Sequence, residues 1–408
     1  MSEFEEQKVE GGEEEQEEDT TLANSDVTTK YQEAAKIVNA ALAEIIALCV
    51  PGANIVDICR AGDLAILTKV DAIYRPKKGR KAVDKGIAFP VCLSINECIC
   101  HNSPLPSDPA VPLNAGDSVK CDLGCQVDGY IAVAAHTFIV PTVTSSNDEI
   151  PVVTPNPLEV ITGPQADCMN AAYIGAEVAS RLIRPGNTNK QVAAAVEEVG
   201  AAYGVQPIVG TVMNQMKRYV IDASKHIMLC EENDRKVEEC TFEANEVYAV
   251  DVAMTTGDGK PREQDIRTTV FKRNVDKNYN LKMKASRGIF SEINRKFPTL
   301  PFTLRALEDE RQAKLGVREC VEHELLTPFP ILSARPGDFI AHVKFTILLL
   351  PGGNTKITGM DLPEGIFVSA EDKVLPESIQ TILNEETKKS KKSKKKKKAT
   401  AASEGGAY

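Results

Sequence analysis

The sequence has no tryptophan, five histidines and 5% aromatic residues in 408 positions. It also lacks any apolar run of the ~18 residues that a membrane-spanning helix needs. The first nineteen residues are mostly acidic, whereas a secretory signal is basic and then apolar. These absences predict a soluble, non-secreted protein with no membrane span.

The eleven cysteines are scattered through apolar stretches and form no dense framework of paired spacings. This pattern indicates reduced thiols in a cytosolic or nuclear compartment. Two short motifs, Cys98-x-Cys100-His101 and Cys121-x-x-x-Cys125, lack the second pair of ligands that a structural zinc site requires. They are interpreted as core or strand cysteines.

Charge is concentrated at the two ends of the chain. Residues 1–19 hold ten acidic residues and one lysine, which predicts a disordered acidic tail over 1–27. One domain is predicted over 28–367, followed by a segment, 368–408, that ends in a disordered basic tail. The lysines of this tail are Lys388, Lys389, Lys391, Lys392, Lys394, Lys395, Lys396, Lys397 and Lys398.

A second basic cluster lies in the segment RPKKGRKAVDKG, here called the basic loop (Arg75–Lys85). Two interpretations remain open: a charged surface loop that avoids strand pairing, or a contact to a nucleic-acid phosphate backbone. Its cations are Arg75, Lys77, Lys78, Arg80, Lys81 and Lys85.

The periodicity of apolar residues suggests an internal duplication. A helix beginning near Thr28 ends before Pro51-Gly52, and a similar helix from Pro164 ends before Pro185-Gly186. Each is followed by a second helix and then by a strand pair, SVKCDLGC with its return strand, and EVYAVDVAM with DIRTTVFKR. Each pair carries one aspartate on its first strand, Asp122 or Asp251, so a pseudo-twofold axis would bring the two together.

The remainder of the chain completes an α/β domain. Residues 280–333 have helical periodicity punctuated by prolines, which indicates a helical insertion. The strand DFIAHVKFTILLLP then returns to the core. Order is expected to fade after Phe367, with a short helix in KVLPESIQTILNEET.

Several motifs, FP-x4-IN-x-C-x-CH, K-x-D-x-G, EVYAVDV and FTILLLP, resemble the methionine aminopeptidase family over Thr28–Pro363. The resemblance implies the pita-bread (creatinase/aminopeptidase) fold, an α/β (α+β) fold with a pseudo-twofold internal repeat and a helical insertion. Family enzymes hold two divalent metals with two Asp, one His and two Glu, since hard anionic oxygens suit two dications. The matching positions here are Asp122, Val133, Asn214, Asp251 and Lys344.

These positions predict that the metal site is lost. Val133, expected opposite Asp122 across the hairpin, has no lone pair, and Lys344 replaces a bridging carboxylate. At an effective dielectric of about 20, unit charges ~4 Å apart interact by roughly 4 kcal/mol, so Lys344 would repel both metals. We expect Lys344 to pair with Asp122 or Asp251, with no cofactor, no metal and no catalysis.

The remaining reactive side chains give no alternative catalytic set. His101 matches the family's substrate-contacting histidine and is interpreted as a retained polar core residue. His136, His226, His323 and His342 have no sequence context typical of a catalytic triad. A nucleophilic Cys98 or Cys100 is not excluded by spacing, but no neighbouring residue indicates an activated thiolate.

With the basic loop and the basic tail included, the chain resembles more closely the proliferation-associated and ErbB-binding protein family, which has curved-DNA-binding and ribosome-associated members. The resemblance implies binding to RNA (rRNA) and to the large (60S) ribosomal subunit near the nascent-chain exit. It also implies residence in cytoplasm and nucleus or nucleolus, and roles in ribosome biogenesis, translation and growth regulation. DNA and transcription or signalling proteins are further partners in that family.

The basic tail fits this expectation because a flexible polycation releases counterions from nucleic acid. The same run also suits a nuclear localisation signal. Few aromatics are present to stack on bases, which favours recognition of phosphates and shape. Two alternatives remain open: an active metalloaminopeptidase with a rearranged site, and a protein adaptor that uses the vacated pocket as a peptide groove.

Overall fold

A computed structural model describes residues 20–76, 78–79, 82–142, 160–230, 236–369 and 373–385. None of the helices in these ranges is both long and apolar enough to cross a membrane. The helices are α1 (Ser25–Leu48), α2 (Ile55–Ala72), α3 (Pro164–Leu182), α4 (Asn189–Tyr203), α5 (Lys284–Lys296), α6 (Glu310–Glu322) and α7 (Glu377–Asn384).

The strands form one large sheet and three small ones. They are β1 (Lys85–Ile95), β2 (Cys98–Cys100), β3 (Ser118–Val127), β4 (Tyr130–Ile139), β5 (Ile161–Thr162), β6 (Gln206–Pro207), β7 (Val212–Met216), β8 (His226–Met228), β9 (Val247–Thr255), β10 (Arg262–Glu263), β11 (Val270–Arg273), β12 (Phe302–Thr303), β13 (Leu326–Phe329), β14 (Leu332–Ser333), β15 (Ile340–Leu350), β16 (Gly353–Lys356) and β17 (Phe367–Val368).

The large antiparallel sheet has a near-symmetric strand order, β1-β3-β4-β15-β9-β7-β8, with β16 paired to β15 and β6 to β9. Helices α1 and α2 pack on β1, β3 and β4, while α3 packs on β9 and β15 and α4 packs on α3. The boundary between the two halves of the sheet therefore lies where β4 pairs with β15, and the two halves share the same arrangement of strands and helices. This order agrees with the duplication that the sequence suggests.

The sequence prediction of the second strand pair is wrong. β9 pairs with β15 over nine residue pairs, Ile340↔Thr255 to Leu348↔Val247. β11, the expected partner of β9, lies between β12 and β13 in a separate sheet. Alternation identifies a strand and its faces, but it does not identify the neighbouring strand when a long insertion intervenes.

The insertion is larger than predicted and is not purely helical. It occupies the chain between β9 and β15 and combines α5 and α6 with the sheet β12-β11-β13. Its core is separate from the cores of the two halves and includes Phe271, Ile289, Phe302 and Leu326. The boundary expected at 280 falls inside this unit, since β11 begins at Val270.

The ends of the ordered domain also differ from the prediction. Leu22 is 5% exposed and α1 begins at Ser25, where the Asn24 side chain accepts a hydrogen bond from the Asp26 amide. At the other end α7 buries Ile379 against α3 and α4, so the domain continues past Phe367. Residues 1–19 and the basic tail from Lys388 lie outside the described residues.

Candidate functional site

A cleft of about 840 Å³ lies on the face of the large sheet opposite the helices. The alternation of β3 places Asp122 on this face, while Cys121 and Leu123 pack beneath α1 and α2. β9 contributes Asp251 and β15 contributes Lys344. The duplication thus brings the two aspartates to opposite sides of one lysine.

The Lys344 ammonium lies between the two carboxylates. Its Nζ is 2.7 Å from Asp122 Oδ2 and 3.0 Å from Asp251 Oδ2, and 5.5 Å from the centre of the Phe89 ring. Although burial opposes its charge, the two carboxylates raise the pKa of Lys344 well above its usual value. For Asp251, burial likewise opposes the charge, but Lys344 and His342 hold its pKa well below the usual range. Lys344 and Asp251 are therefore both charged at neutral pH.

His342 extends this network and was not identified from the sequence. Its Nε2 is 2.7 Å from Asp251 Oδ1, so the imidazole donates to the carboxylate. The signal was available, because His342 lies two residues before Lys344 on the same strand and therefore on the same face.

Val133 lines the cleft, but the predicted register is wrong. Asp122 lies opposite Ala135, and Val133 lies opposite Gly124. The hairpin turn is centred on Asp128 and Gly129, whereas a pairing of Asp122 with Val133 would need a turn centred one residue earlier. Val133 remains on the same face as Asp122, is 3% exposed, and presents only methyl groups to the cleft.

Asn214 on β7 also lines the cleft. Its Oδ1 is 2.8 Å from Nδ1 of His226 on the neighbouring strand β8, which donates this hydrogen bond. His226 is thus a second cleft histidine that sequence reasoning missed. The amide oxygen of Asn214 is occupied by this contact.

His101 lies in the cleft in a left-handed backbone conformation with φ 66°. Its Nδ1 donates to the Pro330 carbonyl oxygen at 2.9 Å, and its ring meets the edge of Phe329 at 5.3 Å between centroids. Burial lowers the pKa of His101, so the imidazole is neutral at physiological pH. Burial raises the thiol pKa of both Cys98 and Cys100, which leaves neither as an activated thiolate.

The basic loop is described only in part. Arg75 and Lys78 are exposed, whereas Lys77, Arg80 and Lys81 lie outside the described residues. Lys85 has a different role from the one the sequence suggested. Its Nζ is 2.6 Å from the carbonyl oxygens of Val70 and Ile73, where it caps the end of α2.

Comparison with known proteins gives the family. Residues 29–228 match the model of metallopeptidase family M24. ErbB-3 binding protein 1 of Solanum tuberosum is 46% identical over 352 residues, which cover 86% of each chain. The chain belongs to the proliferation-associated and ErbB-binding branch of the M24 family.

Two further relatives of this M24 family member extend the comparison. The curved DNA-binding protein of Schizosaccharomyces pombe is 35% identical and covers 91% of this chain and 93% of its own. The solved structure of a thermophilic Arx1 superposes with a TM-score of 0.80 at 32% identity, covering 90% of this chain and 100% of that one. The pita-bread fold expected from the sequence is confirmed.

Proposed function

We propose that this M24 family member is a non-catalytic RNA- and ribosome-binding factor on a degenerate methionine aminopeptidase fold. Its proposed roles are association with the large ribosomal subunit, ribosome biogenesis, translation and growth regulation. DNA binding is a branch of the same activity. The proposed locations are the cytoplasm and the nucleus or nucleolus.

The observation that carries the non-catalytic part is the position of Lys344. Its ammonium contacts both carboxylates that a metal pair would need. Two divalent cations do not fit these residues, because a charge ~4 Å from the ammonium is repelled by roughly 4 kcal/mol per unit charge. Val133 has no donor atom, and the Asn214 amide oxygen is already bonded to His226.

The nucleic-acid part is supported by charge and by one relative. Arg75 and Lys78 of the basic loop are exposed on a chain whose net charge is -10. The nine lysines of the basic tail add a polycation that suits phosphate contacts. The curved DNA-binding protein, 35% identical over nearly the whole chain, supports nucleic acid as a partner class here.

The test is co-sedimentation of tagged protein with ribosomal subunits across a salt series. We expect the full chain to sediment with the large subunit. A variant with Gln at Lys77, Lys78, Arg80 and Lys81 should dissociate from the subunit at a lower salt concentration than the wild type. A matched control replaces four exposed lysines elsewhere with Gln, namely Lys36, Lys190, Lys236 and Lys260. Equal losses in the two variants would contradict a specific role for the basic loop.

Two measurements separate the alternatives. Metal analysis of the purified protein together with hydrolysis of a Met-peptide tests the metalloaminopeptidase, and two bound metals with turnover would overturn the proposal. The adaptor is favoured by the apolar walls of the cleft, which include Phe89, Ile99 and Phe329. A protein partner whose capture resists both RNase and high salt would support it instead.

A further inference from the structure

One face of helix α2 is open to solvent although its centre is apolar. Arg60, Leu64, Leu67 and Asp71, here called the α2 stripe, follow one another at spacings of four, three and four residues and so lie on one side of the helix. Leu64 is 64% exposed and Leu67 is 43% exposed. Arg60 and Asp71 are exposed as well. Paired leucines with a charge on either side are typical of a helix that packs against another helix.

An apolar groove adjoins the α2 stripe. It encloses about 900 Å³ between α2 and the insertion, and Leu64 and Leu67 form part of its wall. Ile87, Phe297 and Leu300 line it as well, so the groove extends the apolar surface beyond the two leucines.

The cations that the insertion brings to this groove already have acid partners. The pairs are Arg295–Glu308, Lys296–Glu292 and Arg305–Asp63. The groove therefore favours an occupant through its apolar surface and not through its charge.

The two charges of the α2 stripe differ from these pairs. Among the residues that the structure describes, none forms an ion pair with Arg60 or with Asp71. The two cannot neutralise each other, because they are about 16 Å apart along the axis of one helix. Each is therefore available to an opposite charge on another molecule.

The α2 stripe is complementary to itself when a second α2 lies antiparallel on it. Arg60 precedes Leu64 by four residues, and Asp71 follows Leu67 by four residues. A twofold axis midway between the two leucines therefore places Leu64 opposite the partner's Leu67, and Arg60 opposite the partner's Asp71. Because the symmetry generates each contact twice, two leucine pairs lie at the centre with an ion pair on either side.

We infer that the α2 stripe is an interface between two copies of this chain, which associate through an antiparallel pair of α2 helices. A second copy is favoured over a different occupant because it presents both the leucines and the opposite charges that the stripe lacks. A contact through one helix is smaller than the roughly 1,200–2,000 Å² of a standard interface, so the dimer is weak, with a Kd in the micromolar range. The inference does not depend on the RNA binding proposed above.

Sedimentation velocity of the full chain across a concentration series measures the association. In buffer free of nucleic acid we expect the wild type to change from monomer to dimer as its concentration rises through the micromolar range. Leu64→Gln together with Leu67→Gln should weaken the dimer by at least about tenfold, because each copy loses two apolar contacts. Leu48→Gln, at a leucine 44% exposed at the end of α1 and outside the α2 stripe, should leave the Kd unchanged.

Exchanging the two charges tests the antiparallel pairing itself. Arg60→Asp and Asp71→Arg should each weaken the dimer by about tenfold, since either substitution places like charges opposite each other on both sides of the leucines. An equimolar mixture of the two variants should associate as tightly as the wild type, because every facing pair then combines opposite charges again. Association through the acidic and basic ends of the chain does not involve residues 60 and 71 and would not show this pattern.

Three results would overturn the inference. The first is a wild type that stays monomeric throughout the concentration series, and the second is a dimer that the leucine substitutions do not weaken. The third is a mixture of the two charge variants that associates no more tightly than either variant alone. All the substitutions are at exposed positions, and circular dichroism of each variant checks that it keeps the wild-type fold. None of these measurements uses RNA, so failure here is distinct from failure of the proposed function.

Discussion

At the scale of single residues, Lys344 joins the two halves of the protein electrostatically. Asp122 comes from the first half and Asp251 from the second, and both side chains contact the same ammonium. All three side chains are at most 16% exposed. Buried charges of this kind are tolerated only while each has its partner, because an unpaired one has lost its hydration without compensation.

Replacing Lys344 with Met should lower the free energy of unfolding by about 3–5 kcal/mol, since two buried carboxylates lose their counterion. Denaturant titration measures this. Lys356→Met is the matched control, as Lys356 is 30% exposed and pairs with Glu177 at the surface, and it should cost at most about 1 kcal/mol. Similar losses for the two variants would show that Lys344 is not the counterion of this pair.

The stabilisation contributed by the Lys344–Asp251 pair does not change with pH near neutrality. The depressed pKa of Asp251 gives a stabilisation that is complete above the unfolded value of about 3.9 and is lost only in stronger acid. The raised pKa of Lys344 gives a stabilisation that is complete below the unfolded-state pKa of about 10.4 and is lost in stronger alkali.

The pKa of Lys120 is lowered, whereas that of Lys344 is raised. It is 1% exposed, its ammonium donates to the Asn96 carbonyl oxygen, and burial lowers its pKa to about 8. Above that pH the native state releases a proton that the unfolded chain keeps until about 10.4, so stability rises with pH.

We therefore expect the stability of the wild type relative to Lys120→Met to increase by about 1 kcal/mol between pH 7.5 and pH 9. Paired denaturant titrations at the two pH values measure this difference, and the thiols and tyrosines common to both proteins cancel. A constant or falling difference would mean that Lys120 stays protonated across this range.

At the scale of elements, the insertion is held together by close packing of α5 on α6. A Cβ added at Gly316 of α6 would lie 2.9 Å from the backbone carbon and oxygen of Ala285 on α5. The absence of a side chain at this position lets the two helix backbones approach each other.

Gly316→Ala should lower the free energy of unfolding by about 1–3 kcal/mol, because backbone atoms have to move apart. Gly288→Ala on the exposed side of α5 meets only the Gln312 side chain at 3.9 Å. It should stabilise the helix by up to about 1 kcal/mol. Denaturant unfolding compares the two, and substitution effects of the same sign would contradict the close-approach argument.

Sequence periodicity located α1 to α4, β3 and β4 to within a few residues, because the pattern of apolar residues in a helix or strand depends on residues close by in the sequence. It did not identify β15 as the partner of β9. Nor did it identify His342 as a partner of Asp251, since these two residues are 91 positions apart.

At the scale of the whole molecule, opposite charges lie at the two ends of the chain around an acidic body. The nine lysines from Lys388 to Lys398 follow α7, which is fixed to α3 and α4. The last described residues, which precede the basic tail in sequence, therefore lie on the helical side of the sheet. If it binds RNA as proposed, its contacts are electrostatic and should be strongly salt-dependent.

Replacing all nine tail lysines with Gln should flatten the slope of log affinity against log salt for single-stranded RNA. Each phosphate contact contributes about 0.7 to the magnitude of this slope, so the loss of nine contacts changes the slope by at most about 6. Filter binding across a salt series measures the slope. The Gln variant at Lys36, Lys190, Lys236 and Lys260 is the control, and an unchanged slope in the tail variant would exclude the basic tail as the contact.

The sequence by itself determined the helices of both halves, the face on which Asp122 lies, the unequal charge of the two ends and the family. These depend on local periodicity, composition and motif order. Only the tertiary structure decided that Lys344 bridges Asp122 and Asp251, that His342 and His226 join the cleft, that Val133 lies opposite Gly124, and that Lys85 caps a helix. The contacts of Lys344 and His342 depend on which distant strands meet, and strand pairing across a long insertion leaves no local trace in the sequence. The position of Val133 depends on where the hairpin turn is centred, and that of Lys85 on how the chain returns to the end of α2.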